Sequence, residues 1–272
     1  MNAEPSHRPP LDEGRIAAGV GPDPGLAVEV VAEAPSTNAI VADRARQGAP
    51  DGLVVVADHQ TAGRGRLDRT WETPVGTALT FSMLLRPTVP AASWPWLPLL
   101  TGYAVAKALA ARGYAAGVKW PNDVLIGDRK VAGILVERLE TPDGPAAVVG
   151  VGLNTGMTAE ELPVPTATSL SLESGSAEPP DRTEVLVDVL AGIRESYDAW
   201  QLGGDPAAGL LLESYAAACL TLGRQVRVDL PDGAAIEGRA VAVDASGRLV
   251  VEAADGRHEV GAGDVVHVRA VA

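Results

Sequence analysis

The chain has a single cysteine, Cys219, in 272 residues, so no internal disulfide can form. Its place in the apolar run AAACL points to a buried thiol in a reducing cytoplasm. Basic residues are also few. With 22 Lys and Arg against 35 Asp and Glu, the formal net charge is −13. Bulk nucleic-acid binding draws on clustered Lys and Arg, so any anion site must be local. Residues 1–25 hold prolines and acids but no basic segment followed by an apolar one, so no signal peptide is expected. No long hydrophobic run is present either: Leu97 to Ala111 is broken by Pro98 and Lys107 and is too short to span a bilayer. Internal repeats, a helix-turn-helix pattern, G-x-G-x-x-G and G-x-x-x-x-G-K-[ST] are all missing, as is a Ser or Cys nucleophile motif. Apolar residues nevertheless make up 46%, enough for one large and one small folded domain.

The most unusual stretch runs from Asp58 to Trp71, DHQTAGRGRLDRTW. It follows Leu53 to Ala57 (LVVVA), a continuous apolar run expected to be a buried strand. Gly63 and Gly65 allow close backbone approach to a ligand. Arg64, Arg66 and Arg69 supply donor forks suited to carboxylate or phosphate. Composition alone fits an exposed Gly/Arg turn equally well.

Ahead of this loop, residues 1–25 read as a loose arm and Leu26 to Val31 as a first strand. Pro35-Ser36-Thr37-Asn38 offers cap oxygens for a helix over Ala39 to Ala45, with Gly48 as its stop. Thr77 to Leu85 reads as a strand and Leu97 to Arg112 as a helix ended by Gly113. In VKWPND, Trp120 is expected to be held extended by Pro121. Val124 to Ile126 then leads through Gly127-Asp128 into a strand that starts at Lys130, and Ala146 to Leu153 is a further buried strand. Thr183 to Trp200 is an amphipathic helix with Leu186, Val189, Leu190, Ile193, Tyr197 and Trp200 as core, and a second helix is expected from about Pro206 to Cys219. From residue 222 onward, short strands alternate with Pro-Asp-Gly, Ser-Gly and Asp-Gly turns, which predicts a small C-terminal β-barrel. The division is therefore 1–25, 26–221 and 222–272.

Five short motifs follow one another in order: Ser36-Thr37-Asn38, then Gln60 to Arg66 (QTAGRGR) with Trp71, Lys119 to Asp123 (KWPND), Lys130 to Ile134 (KVAGI), and Gly150 to Asn154 (GVGLN). Together they closely resemble the biotin protein ligases, over most of the chain and including Thr168-Ser169-Leu170. The resemblance implies an α+β fold. Its catalytic domain would be a mixed β-sheet flanked by helices, of the class II synthetase-like type. It also implies the reaction: biotin and ATP, with Mg²⁺, give biotinyl-5′-AMP and pyrophosphate, and biotin passes to one lysine of a carboxylase biotin carboxyl-carrier domain.

The same resemblance assigns residues. Ser36, Thr37, Asn38 and Gln60 match positions around the ureido ring, whose N–H and C=O groups short hydroxyl and amide side chains can satisfy. Arg64, Gly65, Arg66, Lys130 and Gly133 complete the biotin set, with Arg64 and Arg66 clamping carboxylate and phosphate. Lys130 and Arg66 are the catalytic candidates, because a positioned ammonium stabilises the charge that grows on the α-phosphate. Arg69, Trp71, Lys119, Asn122 and Asn154 are the ATP candidates, Trp71 packing over the adenylate side; metal ligands are not assigned.

Where many relatives continue the arginine loop with Arg-Gly or a similar pair, this chain has Leu67-Asp68, which weakens the case for Arg69. Only about 30 residues precede the catalytic region, so the expectation is a monofunctional, cytoplasmic enzyme without a DNA-binding domain, acting as a monomer or a ligand-dependent homodimer. Rival readings are a ligase for lipoate or octanoate, a co-repressor acting through DNA, and a non-catalytic biotin sensor.

Overall fold

A computed structural model describes residues 8–21, 25–67, 69–175, 179–203 and 210–268. The chain divides into two compact units, Met1–Arg86 with Asp128–Ala191, and Pro87–Gly127 with Gly192–Ala272. In chain order the elements begin with α1 (Glu13–Val20), β1 (Ala27–Ala34), α2 (Thr37–Arg46), β2 (Leu53–Gln60) and β3 (Ala78–Leu85). The second unit then contributes α3 (Trp96–Ala111), β4 (Ala116–Lys119) and β5 (Asp123–Ile126). β6 (Arg129–Thr141), β7 (Gly144–Asn154) and α4 (Leu170–Glu173) return to the first, and α5 (Arg182–Gly203) runs from one into the other. The rest is α6 (Leu210–Ala218), β8 (Gln225–Asp229), β9 (Ala235–Val243), β10 (Leu249–Ala253), β11 (Gly256–Val260) and β12 (Asp264–His267).

Within the first unit the strands run β1-β2-β3-β7-β6. Only β1 and β2 are parallel, because α2 supplies the crossover that a parallel pair requires; the other three pairings are antiparallel. β2, β3 and β7 are almost wholly buried, which is why they read as continuous apolar runs rather than alternating ones. Val41 and Ala45 of α2 pack on Leu53, Val55, Leu84, Ala146 and Val148 of the sheet. Burying each of the larger side chains stabilises by about 1.5–3 kcal/mol. α2 stops where Gly48 takes φ 87°, the left-handed C′ conformation expected of it.

The second unit contains the β4–β5 hairpin and the C-terminal sheet, ordered β11-β10-β9-β8-β12 and antiparallel throughout. The predicted barrel is not closed: among the described residues β11 and β12 form the two edges without pairing. The Trp120–Pro121 peptide bond is cis. The Trp120 ring is buried, with the indole N–H donating to the Gly247 carbonyl at 3.0 Å and the backbone N–H to Thr221 Oγ1 at 3.1 Å. Cys219 is buried as expected, and burial pushes its thiol pKa up. The predicted core positions of α5 are all buried. The described part of the second helix begins at Leu210, so the expected start near Pro206 lies outside the described residues. No described helix is long and apolar enough to cross a membrane.

The loose N-terminal arm is the clearest correction. Over its described residues 8–21 it is a docked strap ending in a helix. Asp12 caps α1 by accepting from the Arg15 N–H at 2.9 Å, and Ile16 is fully buried. Arg8 pairs with Glu161 at 2.7 Å. Burial alone would raise the Glu161 pKa, but the bonds from Arg8 and Thr158 hold it below the usual carboxylate range. Buried Arg182 secures the strap by donating to the Pro9 carbonyl at 2.6 Å and to Asp58 Oδ1 at 2.9 Å. These partners lie far apart along the chain, so local composition, rich in Pro and Gly, hid the order.

Candidate functional site

Two loops leave the carboxyl ends of the parallel strands β1 and β2, the end at which open α/β sheets hold their ligands. The first carries Ser36, Thr37 and Asn38 into the opening turn of α2; the second is Gln60 to Trp71. They are tied together where Thr61 and Ala62 donate backbone N–H bonds to Ala34 and Pro35, at 3.0 and 2.9 Å. Antiparallel pairing brings the start of β3, the end of β7 and the start of β6 to the same place.

Beneath the loops the sheet is floored with small residues. Side chains two apart share a face. Thr80 and Ser82 of β3 lie opposite Gly152 and Gly150 of β7, and these in turn lie opposite Gly133 and Leu135 of β6. The glycines are required by what sits on them. A Cβ on Gly152 would come within 2.6 Å of the Trp71 Nε1, and one on Gly150 would strike the Asn38 Oδ1. A Cβ on Gly133 would meet Lys130 Nζ at 3.1 Å and Trp71 Cζ3 at 3.3 Å. Trp71 thus lies across the Gly133–Gly152 floor, with the Lys130 ammonium 5.7 Å from its ring centroid. Its Nε1 is buried without a hydrogen-bond partner.

Thr37, Asn38, Gln60 and Ser82 form one hydrogen-bonded cluster. The Gln60 side-chain oxygen Oε1 accepts from the Thr37 N–H at 2.7 Å and from its hydroxyl at 3.1 Å. Ser82 Oγ lies 2.5 Å from Asn38 Oδ1 and 2.7 Å from Thr37 Oγ1, and its single proton serves one of them at a time. Asn38 Nδ2 donates to Glu137 Oε2 at 2.6 Å. Ser36 occupies the N-cap position but its side chain does not cap α2, so capping does not explain this residue.

The arginine loop closes on itself as a small hairpin. Gly65 donates to the Arg69 carbonyl at 2.7 Å, Arg69 to that of Arg66 at 3.2 Å, and Trp71 to that of Gly63 at 2.9 Å. Exposed Leu67 takes φ 55° near the turn. Arg64 pairs with Glu137 Oε2 at 2.9 Å. Both partners are substantially exposed, so the pair contributes at most about 1 kcal/mol and exchanges readily.

Lys130 is positioned through its backbone. Its N–H donates to the Thr166 carbonyl at 2.7 Å, and its own carbonyl accepts from Thr168 at 2.8 Å. Asn154, an ATP candidate, is buried and donates to the Thr168 carbonyl at 2.9 Å, so it braces this segment. Lys119 and Asn122 belong to the second unit; Lys119 Nζ is 3.8 Å from Asp123 Oδ2. Of the sequence candidates, Ser36, Thr37, Asn38, Gln60, Arg64, Gly65, Arg66, Arg69, Trp71, Lys130, Gly133 and Asn154 fall in the first unit. Sequence reasoning missed Ser82 and Glu137. An isolated serine in TALTFSMLL was the only available sign of the first, and a glutamate at the end of KVAGILVE of the second.

No group of three or more His, Cys, Asp or Glu side chains is placed to hold a metal ion among the described residues.

The chain is similar to known proteins over most of its length. Residues 30–154 match the Biotin/lipoate A/B protein ligase family, and residues 221–268 match the Biotin protein ligase C terminal domain. A Mycobacterium tuberculosis biotin–[acetyl-CoA-carboxylase] ligase is 40% identical over 96% of this chain and 97% of its own. A Paracoccus denitrificans protein of the same name is 33% identical over 87% and 98%. Among solved structures, the Aquifex aeolicus biotin protein ligase in complex with biotin and ATP superposes with a TM-score of 0.73. It is 29% identical and covers 89% of this chain and 99% of its own.

Proposed function

This chain belongs to the biotin protein ligase family, and from that premise we propose that it activates biotin with ATP and transfers it to a lysine of a carboxylase biotin carrier domain. The observation that carries the reading is the neutral amide and hydroxyl cluster of Thr37, Asn38, Gln60 and Ser82 set on the same sheet face as Lys130 and the glycine floor. Such a cluster satisfies the N–H and C=O of a ureido ring. A plain aliphatic acid such as octanoate offers no N–H or C=O to exchange for the bonds within this cluster, so it gains nothing from these polar groups. The cluster therefore favours biotin over the other small acids.

In the first step the biotin carboxylate attacks the α-phosphate of ATP. An acyl C–O–P linkage forms and pyrophosphate leaves. Lys130 supplies a fixed positive charge where charge builds on the phosphoryl oxygens, and Arg66 grips the acyl adenylate. Mg²⁺ bound to the nucleotide would neutralise phosphate charge. In the second step the neutral amine of the carrier lysine attacks the acyl carbon, AMP departs, and the amine gives up a proton as the amide forms. No protein nucleophile is needed, because the adenylate is already activated. We place this activity in the cytoplasm, without DNA or membrane as partner, with the protein a monomer or a ligand-dependent dimer.

The test is incubation with biotin, MgATP and a carboxylase carrier domain. One biotinyl mass increment on a single lysine, with matching pyrophosphate release, is expected. Failure to release pyrophosphate with biotin, or equal release with octanoate, would overturn the reading.

A further inference from the structure

Glu137 has no part in the scheme above, yet it touches two members of the site. Its Oε2 accepts from Asn38 Nδ2 at 2.6 Å and from Arg64 NH2 at 2.9 Å. A carboxylate can only accept, so it holds the Asn38 amide in one orientation, nitrogen toward β6 and oxygen toward Ser82 and Gly150. Without that anchor a terminal amide rotates through its broad, two-fold χ2 preference. It could then present its N–H₂ where its oxygen now lies. The anchor also polarises the amide, since donation to an anion raises the accepting strength of the oxygen at the other end.

We propose that Glu137 is a positioning residue for ligand recognition. By fixing the Asn38 amide it presents Oδ1 as an acceptor, and so selects a ligand that offers an N–H at that point, the chemistry of a cyclic urea. The claim rests on the biotin-ligating reading and adds a determinant of its specificity. Gly150 serves the same end, because any side chain there would displace the amide oxygen. Arg64 also reaches this carboxylate, but that contact is exposed and weak, so the arginine loop does not depend on Glu137.

The test compares wild type, Glu137→Ala and Glu137→Gln, each checked by thermal melting, in steady-state pyrophosphate release and in calorimetric titration with biotin alone. For Glu137→Ala, the KM and Kd for biotin should rise by about tenfold or more, the scale of losing a charge-assisted hydrogen bond. Its kcat and KM for ATP should change by less than about threefold, a split that general loosening would not produce. Glu137→Gln keeps an oxygen that can accept from Asn38, and should restore biotin KM to within about threefold of wild type. If the alanine variant does not fold, a biotin KM for the glutamine variant raised about two- to threefold at constant kcat supports the proposal. A biotin KM unchanged in every folded variant, or loss of kcat and ATP affinity in step with biotin, would overturn it while leaving the ligase reading intact. A wild type that neither binds biotin nor releases pyrophosphate would overturn both.

Discussion

The sheet face beneath α2 has two halves built from different residues. Toward the carboxyl end of the helix it carries Leu53, Val55, Leu84, Ala146 and Val148, closed by Val41 and Ala45. Toward the helix's first turn the same strands switch to Thr80, Ser82, Gly150, Gly152 and Gly133. Strand pairing runs through both halves without interruption. The difference lies only in side-chain volume and polarity. One half is a core whose worth is dry contact; the other is a recess whose worth is what it leaves unfilled. Substituting in either half should therefore fail in different ways.

The largest effect is expected in the closed half. Leu84 is fully buried, and Leu84→Ala should lower unfolding free energy by about 2–5 kcal/mol. Biotin KM per folded molecule should not change, which urea unfolding beside kinetics below the melting transition can check. A changed KM would mean the two halves are coupled more tightly than their separate composition implies. In the open half, Lys130→Ala should reduce pyrophosphate release by roughly a hundredfold or more while the melting temperature holds, since a half-buried strand-end lysine contributes little to stability. Near wild-type release would remove Lys130 from the chemistry. The smallest effect is expected in the loop that borders the open half. Arg66→Gly should still form adenylate but release it roughly ten- to a hundredfold faster, the scale of one lost charge-assisted bond. At equal adenylate synthesis, a streptavidin blot should then show biotin on bystander proteins such as serum albumin. No rise in that labelling would show that Arg66 does not retain the intermediate.

Much of the open half could be read in the sequence, because its parts are short and local. Ser36-Thr37-Asn38 and the QTAGRGR loop each follow a strand directly, and GVGLN and KVAGI declare their small residues in place. Ser82 and Glu137 could not be read that way. Ser82 matters because pairing sets it opposite Gly150, 68 positions later, and Glu137 because it meets Asn38, 99 positions earlier. The N-terminal strap escaped for the same reason, since its order depends on Arg182 and Glu161. The C-terminal turns announced the run of short strands β8 to β12 correctly. Whether such strands close into a barrel depends on twist and on pairing of the two edges, neither of which a turn signal encodes.

Trp71 has a spectroscopic consequence. Four of the chain's five tryptophans, Trp94, Trp96, Trp120 and Trp200, lie in the second unit and are buried. The fifth rests on bare glycine beside a lysine ammonium, its indole N–H without a partner. An indole's emission follows the charge and polarity around it, so four emitters supply a steady background while one answers to the recess. Intrinsic fluorescence should thus follow filling of the floor without any label, and Trp71→Phe should silence that signal alone.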